Sequence, residues 1–86
     1  MKLSDFSKFS ARFHRNGIGG APFHVCEFTW RDGNVRRQMQ AVVFNLSWHV
    51  AVLEPANPRM RWRGDEFDCF LRQLIDKHES PEYYAR

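Results

Sequence analysis

The 86-residue sequence predicts a small two-layer α+β domain: an antiparallel β-meander of about four strands with one C-terminal helix packed on a face. Three observations predict it: strand-like alternation near the N-terminus, an Asp-Gly turn between two strand-like runs, and an apolar stripe at helical spacing near the C-terminus. A second core would need roughly 50 further residues, so we expect one domain over residues 1–86. Aromatic residues, 15% of the chain, supply the large side chains that so small a core requires.

The N-terminal segment carries two competing patterns. Apolar residues alternate with polar ones, as in a strand, at Phe9, Ala11 and Phe13. A helical stripe is also approximated by Leu3, Phe6, Phe9 and Phe13. Serine is frequent here, and Asn16-Gly17 and Gly19-Gly20 are typical of a turn and loop, so we predict a strand over 9–15.

The next two strands are predicted as a hairpin. Asp32-Gly33 separates two runs rich in aromatic and β-branched residues, which is a strong short-range turn signal. We expect strands over 22–31 and 34–44. The predicted register places Arg31 opposite Asn34 and Phe28 opposite Arg37, which leaves one face of the hairpin mostly apolar.

The last two elements are a short strand and a helix. The apolar run from His49 to Leu53 predicts a strand over 49–53. A helix over 65–79 is predicted from a stripe made of Phe67, Phe70, Leu71, Leu74, Ile75 and His78. Asp65 is the expected N-cap, Asp68 the expected capping-box acid, and Pro81 bars extension of the helix.

Charge is distributed unevenly along the chain. Residues 1–63 contain ten Lys or Arg against four acids, a net charge of +6, whereas residues 64–86 have a net charge of −3. Ten of the thirteen cations are arginine, whose planar guanidinium pairs with carboxylates and phosphates and stacks on rings. The asymmetry predicts either capture of an acidic partner or a basic part that faces the acidic helix within the monomer.

The candidate binding residues are arginines interleaved with an aromatic residue. The main contacts are expected from Arg59, Arg61, Trp62 and Arg63, and secondary ones from Arg31, Arg36 and Arg37. We expect a non-enzymatic binding module for nucleic acid or an acidic protein surface, in which the arginines contact charge and Trp62 stacks. The structural alternative is that Trp62 closes the edge of the core while the arginines pair with acids of the helix.

Metal and thiol chemistry have weaker signals. The residues that could ligate zinc are His14, His24, Cys26, His49, Cys69 and His78. Only His24 and Cys26 are close in sequence, so we predict no metal and no cofactor. The order of His49 and Cys69 locally resembles permuted papain-like folds, over Trp48 to Leu53 and Asp68 to Leu74, and that resemblance implies a thiol nucleophile. The acids around Cys69 oppose a reactive thiolate, so the enzyme is a remote alternative.

The remaining expectations concern location and assembly. No apolar run approaches the roughly 20 residues that span a bilayer, and the first residues lack the apolar stretch of a signal peptide. We therefore expect a cytoplasmic protein without a membrane partner and with reduced cysteines. A homodimer through a strand edge, or an adaptor or inhibitor role without nucleic acid, is the alternative to the acidic-partner hypothesis.

Overall fold

Four antiparallel strands form one sheet in the order of the chain, and a helix lies across one face, in a computed structural model that describes residues 1–15, 20–47 and 49–79. A 3-10 turn over Leu3–Asp5 precedes the sheet. The elements are β1 (Phe6–His14), β2 (Phe23–Asp32), β3 (Val35–Phe44), β4 (Val50–Leu53) and α1 (Gly64–Glu79). The predicted α+β class is confirmed. The Asn16-Gly17 turn, Trp48, Pro81 and part of the Gly19-Gly20 loop lie outside the described residues.

The core lies between α1 and the sheet face that α1 covers. The helical stripe buries Phe67, Leu71 and Ile75, as its spacing predicted, with Phe70 and Leu74 partly buried beside them. The sheet contributes to this core Phe6, Cys26, Phe28, Trp30, Met39, Ala41 and Val43. The other face of the sheet is not covered by any helix of the described chain.

A β-bulge explains why the N-terminal segment carries two patterns. Between Ser7 and Ser10 the register of β1 against β2 shifts by one residue, and Lys8 has a positive φ of 51°. An extra residue in one strand lets side chains three apart face the same side. Phe6 and Phe9 therefore both pack on the core, although the segment is a strand. This strand begins three residues earlier than predicted.

The hairpin forms, but its predicted register is wrong by one residue on each strand. Asp32 pairs with Val35, and Phe28 pairs with Met39 instead of Arg37. The two loop residues are Gly33 and Asn34, with Gly33 at φ +63°, as a type II′ turn requires at its first central position. The pairing differs from the prediction by one residue on each strand, two in total. Because side chains alternate with a period of two, the residues that share each face of the hairpin are still those that were predicted. The observed register also places polar pairs in contact: the Gln38 side-chain amide donates to the Thr29 hydroxyl at 3.0 Å.

The start of α1 differs from the predicted cap. The helix begins at Gly64, so Asp65 lies in its first turn, and Asp68 accepts a hydrogen bond from the Arg72 guanidinium at 2.5 Å. Gly64 is required by a close approach to β4: a Cβ built there would lie 1.8 Å from the carbonyl oxygen of Val50. No helix in the described ranges is long and apolar enough to cross a membrane.

Polar contacts tie the middle and the C-terminal end of α1 to the sheet and to the segment that follows β3. The buried His24 ring contacts the Asn45 side-chain oxygen through Nδ1 at 2.8 Å and the Glu79 carboxylate through Nε2. Arg72 donates to the carbonyl oxygens of Phe44 and Ser47 at 3.3 and 2.8 Å. The helix is thus fastened to the sheet at both ends as well as through its apolar stripe.

We expect Gly64→Ala to destabilise the fold by about 2 kcal/mol or more, because the added methyl group overlaps main-chain atoms that cannot rotate away. Gly33→Ala is the matched control: its Cβ meets nothing within 4 Å. That variant should lose only about 1 kcal/mol, for the positive φ. Urea unfolding measures both, and equal losses would contradict the proposed close approach.

The two cysteines should react very differently with a thiol reagent. Cys26 is fully buried and Cys69 is exposed. We expect one thiol to react in the folded protein and none in Cys69→Ser, with Cys26 reacting only on unfolding. Rapid labelling of folded Cys69→Ser would contradict the buried position.

Burial, with a smaller contribution from Glu79, raises the pKa of Cys26 from 9.0 to about 12. The unfolded chain loses this proton first, so the free energy of unfolding should fall as the pH rises from about 9 towards 12. The Cys26→Ala variant has no thiol at this position, so this contribution to the pH dependence of the free energy of unfolding is absent. Urea unfolding of both proteins at a series of alkaline pH values should therefore show a steeper decline in the natural sequence.

Candidate binding site

The segment between β4 and α1, residues 54–63, carries the candidate arginines and is called here the arginine loop. Its first part is shaped by two turn hydrogen bonds: Asn57 N–H donates to the Glu54 carbonyl, and Met60 N–H donates to the Asn57 carbonyl, both at 3.0 Å. Pro55 and Pro58 lack an amide hydrogen and exclude a regular element here. The loop is therefore an ordered turn structure that leads from the edge of the sheet back to the helix.

Arg37 anchors the arginine loop to the hairpin. Its Nε donates to the Asp32 carboxylate at 3.1 Å, and its Nη1 lies 3.3 Å from both oxygens of the Glu54 carboxylate. Glu54 is 3% exposed and also accepts a hydrogen bond from the Asn57 amide at 3.0 Å. Bonding to Asp32, and then to Glu54, raises the pKa of Arg37 above its usual value. This guanidinium is therefore partly buried, and its charge is paired with two carboxylates of the protein itself.

Trp62 packs at the edge of the core. Its ring meets Trp30 edge-on, with centroids 5.1 Å apart and planes at 89°, and the Arg37 guanidinium lies 5.1 Å from its centroid. The indole Nε1 is buried and has no acceptor among the described residues. Trp30 and Arg37 both belong to the sheet face under the helix. This placement matches the alternative stated above, in which Trp62 closes the edge of the core.

An open groove of about 660 Å³ runs between the arginine loop and the outer edge of β4. Its lining is Val52, Leu53, Pro58, Arg59, Met60, Arg61 and Trp62. Leu53 and Met60 are 46% and 42% exposed, which is high for large apolar side chains. The groove thus combines apolar contact surface with two guanidinium groups.

The charges at the groove are unbalanced. Arg59 and Arg61 are exposed, and neither forms an ion pair within the described parts of the chain. Arg63 lies outside the groove lining and approaches the Glu66 carboxylate at 3.8 Å, as the structural alternative expected for one of these arginines. Arg59 and Arg61 are therefore the cations of the groove whose charge is not balanced by an ion pair within the described chain.

The hairpin arginines do not join this groove. Arg31 and Arg36 are cross-strand partners on the sheet face away from α1, and Arg31 donates to the Asp5 carboxylate at 3.1 Å. A backbone hydrogen bond from Lys2, and then Arg31, lowers the pKa of Asp5. The structure brings Arg59, Arg61 and Trp62 to one groove, but it places Arg31 and Arg36 on the opposite face.

Sequence reasoning missed the contribution of β4 to the site. The predicted meander makes its last strand an edge strand, and the order β1-β2-β3-β4 agrees with it, but Val52 and Leu53 of that strand were not among the predicted binding residues. The signal available in the sequence was the length of the run, since four residues followed by Glu54 and Pro55 are typical of a short edge strand.

The metal and thiol candidates lie apart from the groove. Both ring nitrogens of His24 are engaged, and Cys26 beside it is buried. Cys69 lies on the exposed side of α1, where its sulfur is 3.2 Å from the Gln73 amide nitrogen. Within the described residues no three His, Cys, Asp or Glu side chains are grouped so that they could hold a metal ion.

We expect Arg37→Met to lower the urea midpoint of unfolding clearly, because it leaves the buried Glu54 carboxylate without its cation. Arg12→Met, on the exposed outer side of β1, is the control and should change the midpoint little. Recovery of stability in the double variant Arg37→Met/Glu54→Gln would identify the lost charge pairing as the cause. Equal midpoints for the two single variants would contradict an internal role for Arg37.

Comparisons with known proteins assign the chain to no family. No family model matches it, and neither a curated protein nor a solved structure aligns with it significantly. The groove and its unbalanced charges are therefore the features of the molecule that bear on function.

Proposed function

We propose that this protein is a non-enzymatic binding module that captures an acidic segment of another protein in the groove between β4 and the arginine loop. One observation carries the proposal: Arg59 and Arg61 line the groove without an ion-pair partner in the described chain, whereas Arg37 beside them is paired with Asp32 and Glu54. Unpaired guanidinium groups next to exposed Leu53 and Met60 suit a partner that offers both carboxylates and apolar side chains.

The surroundings of Trp62 favour an acidic protein segment over nucleic acid. Binding of single strands without sequence preference depends on aromatic rings on which bases stack. Trp62 is the aromatic residue of the groove, and its ring is already contacted by Arg37 and Trp30. The two groove arginines alone supply few phosphate contacts, and the hairpin arginines on the other face cannot add to them.

The thiols support a binding role without catalysis. A cysteine nucleophile requires a thiolate stabilised by nearby positive charge. Burial raises the pKa of Cys26, which opposes thiolate formation, and Cys69 follows three acids in the first turns of α1. The groove itself contains no cysteine, serine or histidine among its lining residues.

The test is binding of fluorescent oligoglutamate, with single-stranded oligothymidylate of the same length for comparison. We expect saturable oligoglutamate binding that weakens as the ionic strength rises from about 0.01 M to about 0.15 M. Arg59→Gln/Arg61→Gln should weaken it by about tenfold, as expected for loss of two partly exposed ion pairs. Fluorescence anisotropy measures each affinity.

Arg12→Gln/Arg15→Gln is the matched control, because it removes the same charge from β1 and its end, at the opposite edge of the sheet. An equal loss of affinity in both double variants would show that binding depends only on the net charge of the protein, and it would overturn the proposed site. Tighter binding of oligothymidylate, lost with Arg59 and Arg61, would establish nucleic acid as the partner instead.

A further inference from the structure

The free edge of β4 points to how the acidic segment binds. We propose that the segment adds to the sheet as a fifth strand along β4, pairing with the main chain of Val52 and presenting alternate acidic residues to Arg59 and Arg61. The inference rests on the proposed function, and it specifies an extended backbone and a residue pattern for the partner. Edge strands are templates for such pairing, and main-chain hydrogen bonds then add to side-chain recognition.

The hydrogen bonds between β3 and β4 determine which groups face the free edge. Phe44 N–H donates to the His49 carbonyl at 3.2 Å, so these opposite residues form a hydrogen-bonded pair. Such pairs alternate along antiparallel strands. Ala51 and Leu53 therefore bond to β3, whereas the main-chain groups of Val50 and Val52 point away from it.

Of Val50 and Val52, only Val52 is open to a partner strand. The Val50 carbonyl is approached so closely by Gly64 that a Cβ on the glycine would overlap it. Val52 N–H and C=O form no turn or loop hydrogen bond within the described ranges, and Val52 lines the groove. A partner strand can thus form one hydrogen-bonded pair here, centred on Val52.

Side-chain alternation then defines the residues that the partner needs. The arginine loop lies on the helix side of the sheet, because Trp62 packs on Trp30 and Arg37 of that face. Leu53 points to the other side and is half exposed. Residues of an added strand that face the loop should be acidic, and their neighbours beside Leu53 should be apolar.

The experiment uses a fluorescent peptide of about eight residues in which Glu and Val alternate, within the usual length of a strand. Two derivatives carry N-methyl groups, either on every Glu or on every Val, which removes the amide hydrogens that point to one side of the strand. We expect only one derivative to lose affinity, by about tenfold, the effect of deleting one or two hydrogen bonds. Loss with methylated Glu indicates antiparallel pairing, and loss with methylated Val indicates parallel pairing.

Equal affinities of the two derivatives, whether both unchanged or both reduced, would overturn strand addition. The outcome is separate from that of the proposed function: a peptide that still requires Arg59 and Arg61 but ignores N-methylation leaves the groove valid and removes the fifth strand. If the alternating peptide does not bind but oligoglutamate does, the fifth strand is overturned and the groove stays valid, whereas failure of both ligands to bind overturns both proposals.

Hydrogen exchange gives a second readout on the natural sequence. The amide of Val52 should exchange at least about tenfold more slowly in the saturated complex with the alternating peptide, because it becomes a donor to the added strand. Ala51 N–H, which already bonds within the sheet, should change little. Unaltered exchange at Val52 in a saturated complex would contradict the pairing.

Discussion

Enclosure of the Arg37 guanidinium by two carboxylates and the Trp62 ring holds the arginine loop against the sheet. A buried charge is tolerated only when it is paired, so the buried Glu54 at the end of β4 must stay close to Arg37, and the more exposed Asp32 at the hairpin end adds a second ion pair. Trp62 closes the cluster from the side of the helix. The Arg37 cluster thus joins the hairpin, the edge strand and the arginine loop. The position of Arg59 and Arg61 depends on this cluster.

The same cluster gives neighbouring arginines different roles. Arg36 and Arg37 are adjacent in sequence but point to opposite faces of β3, because side chains alternate along a strand. Arg37 meets carboxylates under the loop, while Arg36 lies exposed on the far face. In the loop, Trp62 is drawn towards the core by Trp30, and the arginines around it stay at the surface. By composition these arginines form one basic group. In the structure they lie on different faces of the sheet and in different surroundings.

Errors in the predicted fold have local physical causes. The N-terminal strand carries a helical spacing because the bulge at Lys8 turns both Phe6 and Phe9 towards the core. In the hairpin the turn residues are Gly33 and Asn34, and a shift by one residue on each strand preserves which residues share a face. Hydrophobic patterning therefore could not detect the error. The cross-strand contacts of Arg37 with Asp32 and of Gln38 with Thr29 are made in the observed register.

By itself, the sequence determined the class of fold, the helix with its buried stripe, the two faces of the hairpin and the arginine-rich segment before the helix. These depend on periodicity, turn residues and composition, which are local properties. Only the tertiary structure decided that the arginine loop lies beside the edge of β4, that Trp62 and Arg37 pack against the sheet, and that Arg59 and Arg61 form no ion pair within the described chain. Ion pairing and ring packing join residues distant in the chain, and local patterns carry no record of those contacts.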